Sequence, residues 1–152
     1  ETSVMKRYQH IMASVDFSEL APSIVEHAKE MAAISNARLS LLHVVQDVPL
    51  MGEPFGEPSV LVMSEEVEQQ AIDNARQQMQ LLVKRLELPD TVHQWIEPGF
   101  ATDTILTMAE ANHVDLIIVG HSGRKGFLGF LGSTANAVVK GANCDVLVVR
   151  AH

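Results

Sequence analysis

Val114-Asp115-Leu116-Ile117-Ile118-Val119-Gly120, continued by His121-Ser122-Gly123-Arg124-Lys125-Gly126-Phe127-Leu128-Gly129-Phe130-Leu131-Gly132-Ser133-Thr134, decides the fold of this chain. An unbroken apolar run of this length suits a strand covered on both faces, as in a parallel sheet. Five glycines follow within thirteen residues, from Gly120 to Gly132. Glycine admits positive φ and lets a ligand approach main-chain N–H groups closely. Gly132-Ser133-Thr134 then opens a helical pattern, whose free N–H groups and positive dipole end attract an anion. Ser133 and Thr134 add hydroxyls, and Arg124 and Lys125 add positive charge. These are the parts of a di- or triphosphate site; the alternative is a tight connection whose glycines serve only the turns.

Outward from that stretch, four further segments read as strands: Gln9 to Val15, Arg38 to Val45, Thr91 to Glu97 and Asp145 to Arg150, with the decisive run, Asp115 to Val119, fourth in order. The third alternates more and suits an edge. Helical spacing lies between them. It covers Ser18 to Ser35, with Leu20, Ile24, His27, Ala28, Met31 and Ala32 near one face and Ser18 a candidate N-cap. Pro22 requires the regular helix to begin a little after Ser18. Ser64 to Leu86 has an acidic first turn and Lys84-Arg85 in its last, as the helix dipole favours. Ala101 to Asn112 and Ser133 to Gly141 complete the set, with Gly141 a candidate C-terminal cap. Strict alternation of strand and helix implies one doubly wound α/β domain, a five-stranded parallel sheet with helices on both faces. The domain spans residues 5–152; Glu1 to Val4, before Met5, read as a cloning remnant. The stretch from Gln46 to Met63, rich in proline and glycine, reads as a flap or an interaction segment.

Composition narrows the function. Apolar residues make up 47% and charged residues 20% of 152, so the chain can bury one core. A net charge of -8 opposes nucleic-acid and anionic-membrane binding. The apolar runs are too short to span a bilayer, and no leader pattern is present. The single cysteine, Cys144, excludes an intrachain disulfide or a thiolate metal cluster and reads as a small core or strand-edge residue. The expected location is the cytoplasm. No histidines show paired metal spacing. His43 and Trp95 read as packed side chains, and His121 as a solvated residue of the glycine loop that lies on the phosphate path.

In open parallel sheets ligands bind beyond the carboxyl ends of the strands, where chain order reverses. Ser14-Val15-Asp16-Phe17-Ser18, His43-Val44-Val45 and the glycine loop all converge on that edge. With Leu42-His43-Val44-Val45, Pro98-Gly99 before a helix and Cys144-Asp145-Val146-Leu147-Val148-Val149, these pieces make the chain resemble the universal stress protein family from about Lys6 to Arg150. The resemblance implies strand order 3-2-1-4-5 and, for the nucleotide-binding branch, a pattern G-x2-G-x9-G-[S/T]. Gly120, Gly123 and Gly132-Ser133 match it, with eight residues rather than nine between Gly123 and Gly132.

Carried over by position, the resemblance places Asp16 and Ser14, with Val15 between them, at the base or ribose, and Val44 at the adenine. It places Val119, Gly120 and Gly123 along the ribose and phosphate path, and Gly132, Ser133 and Thr134 at the outer phosphates; His121 and Arg124 join the nucleotide-binding set through their place in the same loop and the charge of Arg124. Asp16 has a second reading, as a helix cap. The ligand expected is ATP, or ADP or AMP, with or without Mg2+. The function implied is a nucleotide-binding regulator of the stress response. Alternatives are a slow ATPase or self-phosphorylating protein acting at Ser133 or Thr134, and a non-nucleotide interaction module. No Walker A motif is present. The family likeness also implies a homodimer through Asp145 to Arg150, or a tetramer, because an exposed apolar edge strand invites pairing.

Overall fold

Alternation along each strand divides the apolar residues into two cores. Ile11, Ala13, Leu39, Leu41, Leu116 and Ile118 lie in one, and Met12, Leu42, Val44, Ile117 and Val119 in the other. Successive side chains of a strand point to opposite faces, so only helices on both sides keep every one of these residues dry. A computed structural model of the chain, describing residues 8–46, 64–121 and 133–150, shows that arrangement.

The elements are β1 (His10–Ser14), α1 (Ala21–Ser35), β2 (Arg38–Gln46), α2 (Glu65–Arg85), β3 (His93–Gly99), α3 (Ala101–Ala111), β4 (Leu116–His121), α4 (Ser133–Gly141) and β5 (Asp145–Arg150). The sheet is parallel throughout, in the order β3-β2-β1-β4-β5. Helices α1 and α2 cover one face, burying Ala28, Met79 and Leu82 with the first core. Helices α3 and α4 cover the other, burying Ile105, Ala109 and Val138 with the second. Every expected strand and helix is present, with ends displaced by at most three residues.

Several expectations change in detail. The N-cap of α1 is Leu20, without a side-chain cap, rather than Ser18. Pro22 forces this, since its ring is tolerated only in the first turn. His27 is exposed rather than on the inner face, its Nδ1 2.8 Å from the Ser23 carbonyl. His121 is not a solvated loop residue. It is the last residue of β4, paired with Arg150 and only 9% exposed, because β5 carries the ladder two residues past Val119. Residues 47–63, expected to form a flap or contact segment, lie outside the described residues.

Elsewhere the local chemistry follows the expected rules. The Ser64 hydroxyl accepts from the Val67 N–H at 3.3 Å, capping α2. At the far end Lys29 of α1 donates to the Leu86 carbonyl at 3.2 Å, which ties α2 to α1. Asn36, with φ 53, ends α1 in the left-handed conformation that asparagine tolerates. At the amino edge of the sheet, Asp115 accepts the main-chain N–H groups of Gln9 and His10, each at 2.9 Å. Those amides stand at the very start of the ladder and would otherwise lack partners.

Candidate functional site

Strands β1 and β4 are neighbours, but their following helices go to opposite faces. The chain therefore leaves the carboxyl edge in two directions from that point, and a crevice must open there. The structure holds a cleft of about 590 Å3 at this place, a size suited to a small organic ligand.

Its floor comes from the strand ends. Ser14, Val15 and Asp16 follow from β1, His43, Val44, Val45 and Gln46 belong to β2, and Val119 and Gly120 to β4. Leu20 and Ile24, at the cap and in the first turn of α1, and Ala71, Asn74, Ala75 and Gln78 of α2 form one wall. Ala101 and Ile105 of α3, with Thr134 and Ala135 of α4, form the other. Seven of the residues singled out from the sequence thus share one cavity: Ser14, Val15, Asp16, Val44, Val119, Gly120 and Thr134. Ser133 is the first residue of α4. Gly123, Arg124 and Gly132 lie outside the described residues. His121 does not line the cleft.

The turn after β1 is shaped by its own side chains. Oδ1 of Asp16 accepts the Ser18 N–H at 3.0 Å. This local bond closes an Asx turn, so the carboxylate caps the turn before α1 while remaining exposed on the cleft. Phe17, between them, sits at φ 59. A bulky residue rarely adopts this left-handed conformation, which costs on the order of 1–2 kcal/mol. Compensation comes from β2, where the Phe17 ring lies on His43 with centroids 4.4 Å apart. His43 is fixed in turn by a 2.7 Å hydrogen bond between Nδ1 and the Val15 carbonyl. The expected packed histidine is present, but it also forms part of the cleft floor.

Gly120 answers a close approach of a different kind. A Cβ there would lie 2.6 Å from Ile24 Cδ1 and 2.7 Å from Leu20 Cδ2. The missing side chain lets the start of α1 settle onto the end of β4. Gly120 thereby shapes the cleft from within, besides leaving backbone open along its edge.

The residues that sequence reading passed over are mainly those of α2. Ala71, Asn74, Ala75 and Gln78 recur at three- and four-residue spacing and share one helix face. A stripe of small and carboxamide residues beside the buried Met79 and Leu82 was the available signal. It has no motif, and only packing reveals that it faces the strand ends.

Among the described residues no group of three or more His, Cys, Asp or Glu could hold a metal ion. Among them, too, no helix is long and apolar enough to cross a membrane.

Comparison with known proteins agrees with the geometry. A family model described as "Universal stress protein family" matches residues 7–150. The chain is 39% identical over 127 residues to universal stress protein A homolog 2 of Coxiella burnetii, covering 84% of each. It superposes on universal stress protein UspA from Lactobacillus plantarum with a TM-score of 0.69 and 28% identity, covering 96% of this chain and all of that one. Two more distant structures share the fold, with TM-scores of 0.61 and 0.62 at 23% and 19% identity, over 95% of this chain and 98% and 99% of theirs. The first is a universal stress protein in complex with cAMP, and the second is that of Archaeoglobus fulgidus in complex with dAMP.

Proposed function

This chain belongs to the universal stress protein family, and from that premise we propose that its cleft binds an adenine nucleotide, with ATP the ligand expected and a regulatory role in the stress response. The observation that carries the reading is the cleft itself. It lies where β1 and β4 diverge, with the start of α4 on one side and the ends of β1 and β2 on the other. A helix start presents unpaired N–H groups to an anion, and strand-end backbone can take a planar base. Thr134 stands at the anionic end. Asp16 and the Val44 backbone stand at the base end. Relatives of the same fold hold cAMP and dAMP, which supports the adenine part of the reading.

In this reading the bound nucleotide biases conformation or assembly rather than being turned over. A divalent cation such as Mg2+ accompanies ATP through the phosphate oxygens. Assembly is proposed through β5, which ends the sheet and leaves Val146, Leu147 and Val148 only partly covered in a single chain. Such an edge pairs readily with a second copy.

The test is calorimetric titration of ligand-stripped protein with ATP, ADP and AMP, beside Ala71→Trp, whose indole would fill the cleft from the α2 wall. Saturable binding by the parent chain and none by the variant supports the reading. Absence of binding by the parent chain at millimolar nucleotide overturns it.

A further inference from the structure

We propose that His43, Asn74 and Gln78 form a base-reading wall that selects a 6-aminopurine over a 6-oxopurine. The inference rests on the nucleotide reading above and adds to it the group that chooses the base. All three residues line the same cleft, one from β2 and two from adjacent turns of α2.

The selective element is the imidazole. Its Nδ1 lies 2.7 Å from the Val15 carbonyl, which can only accept, so Nδ1 carries the hydrogen. In the neutral ring Nε2 is then an acceptor. Turning the ring over would put Cδ2 where Nδ1 lies, which would break the bond to Val15 and disturb the contact with Phe17, 4.4 Å away between centroids. Nε2 makes no hydrogen bond among the described residues, so its lone pair is left for a ligand. An exocyclic amine satisfies it. An exocyclic carbonyl sets two lone pairs against each other and leaves both without partners, the costlier outcome in a partly dry site.

The carboxamides act differently. Asn74 and Gln78 are four residues apart, hence on one face of α2, and neither makes a side-chain hydrogen bond among the described residues. Each offers a donor and an acceptor side by side, the pattern that pairs with the amine and a ring nitrogen of adenine. A carboxamide can also turn over and meet the oxo form equally well. The pair therefore contributes affinity for either purine, whereas the pinned histidine contributes the choice between them.

The test compares ATP with inosine triphosphate, which differs at the 6-position and the adjoining ring nitrogen, and with inorganic tripolyphosphate. Calorimetry on ligand-stripped protein reads each affinity. The parent chain should prefer ATP by about tenfold, the size of one well-placed hydrogen bond in a specific site. His43→Leu should bring the ratio close to one, with folding checked by thermal unfolding. Because His43 also supports the turn after β1, Asn74→Ala/Gln78→Ala supplies an independent measurement on exposed helix positions. It should weaken both nucleotides by about tenfold and leave tripolyphosphate unchanged. Equal affinity of the parent chain for the two nucleotides, or an unaltered ratio in a folded His43→Leu, would overturn the proposal while the nucleotide reading stands. An unaltered ATP affinity in the α2 double variant would remove the carboxamides from the wall. If the parent chain binds neither nucleotide nor tripolyphosphate, the nucleotide reading itself falls, and this inference with it.

Discussion

The Nε2 atom of His10 lies 2.7 Å from Oγ of Ser40, joining β1 to β2 inside the sheet by a bond that neither residue could make with water. Both are buried, at 2% and 0% exposure. The other ring nitrogen, Nδ1, is 2.9 Å from the Asn112 carbonyl and must donate to it. Nε2 is therefore the acceptor and the Ser40 hydroxyl the donor. The edge of the Trp95 indole, 6.0 Å away between centroids, packs beside this pair.

Burial pushes the His10 imidazole below its ordinary value of 6.5, against the smaller opposing effect of the Asn112 carbonyl. The folded chain thus binds a proton less readily than the unfolded one. Stability from this group is fully present above pH 6.5 and declines as pH falls from there toward the depressed folded value. Urea unfolding between pH 8 and 5 should show a steeper loss for the parent chain than for His10→Gln. Parallel curves would mean that His10 titrates alike in both states.

Gly120→Ala should destabilise by about 1–2 kcal/mol, because the added carbon must displace the ends of Leu20 and Ile24. The atoms in the way are tips of flexible side chains, so the fold itself should survive. Trimming Leu20 to Ala in the same chain should recover part of the cost. A double-mutant cycle by chemical denaturation measures that coupling, and strict additivity would argue against the contact.

At residue 17 the ring and the backbone pull in opposite directions. Phe17→Ala and Phe17→Gly both lose the contact with His43, but only glycine accepts φ 59 without strain. The glycine variant should be the more stable of the two by about 1 kcal/mol. If alanine is the better replacement, the left-handed turn does not persist in solution.

Ser64→Ala removes the acceptor for the Val67 N–H at the start of α2. A loss of about 1 kcal/mol is expected. Since Asn74 and Gln78 lie more than two turns further on, nucleotide affinity should be unchanged, and calorimetry on the folded variant checks this.

A bound nucleotide should stabilise the folded chain by mass action. At a free ligand concentration one hundred times Kd the gain is about 2.7 kcal/mol, visible as a rise in Tm. The rise should vanish in Ala71→Trp. An equal rise in both proteins would place the ligand elsewhere.

Much of this was legible in the residues themselves. Leu116-Ile117-Ile118-Val119 suits a strand covered on both sides, and its alternation with helical spacing elsewhere implies a parallel sheet. Asp16, Val44, Val119 and Thr134 were legible as neighbours on one cleft because each falls at a strand end or a helix start, and the topology brings those ends to one edge. His121 was misplaced because ladder length is not a local property; β5 across the sheet decides where β4 stops. Ser18 lost the cap to Leu20 because Pro22 dictates where α1 can begin.

Periodicity and turn chemistry, which act between neighbours in the chain, were enough to determine the sheet, its covering helices and the edge where a ligand would sit. Tertiary structure alone decided which residues line the cleft at that edge. His43 is held by a carbonyl twenty-eight residues away, and Asn74 and Gln78 reach the cleft from a helix without any motif. The reason is physical: hydrogen-bond direction and side-chain packing depend on groups distant in the chain, so no local pattern records them.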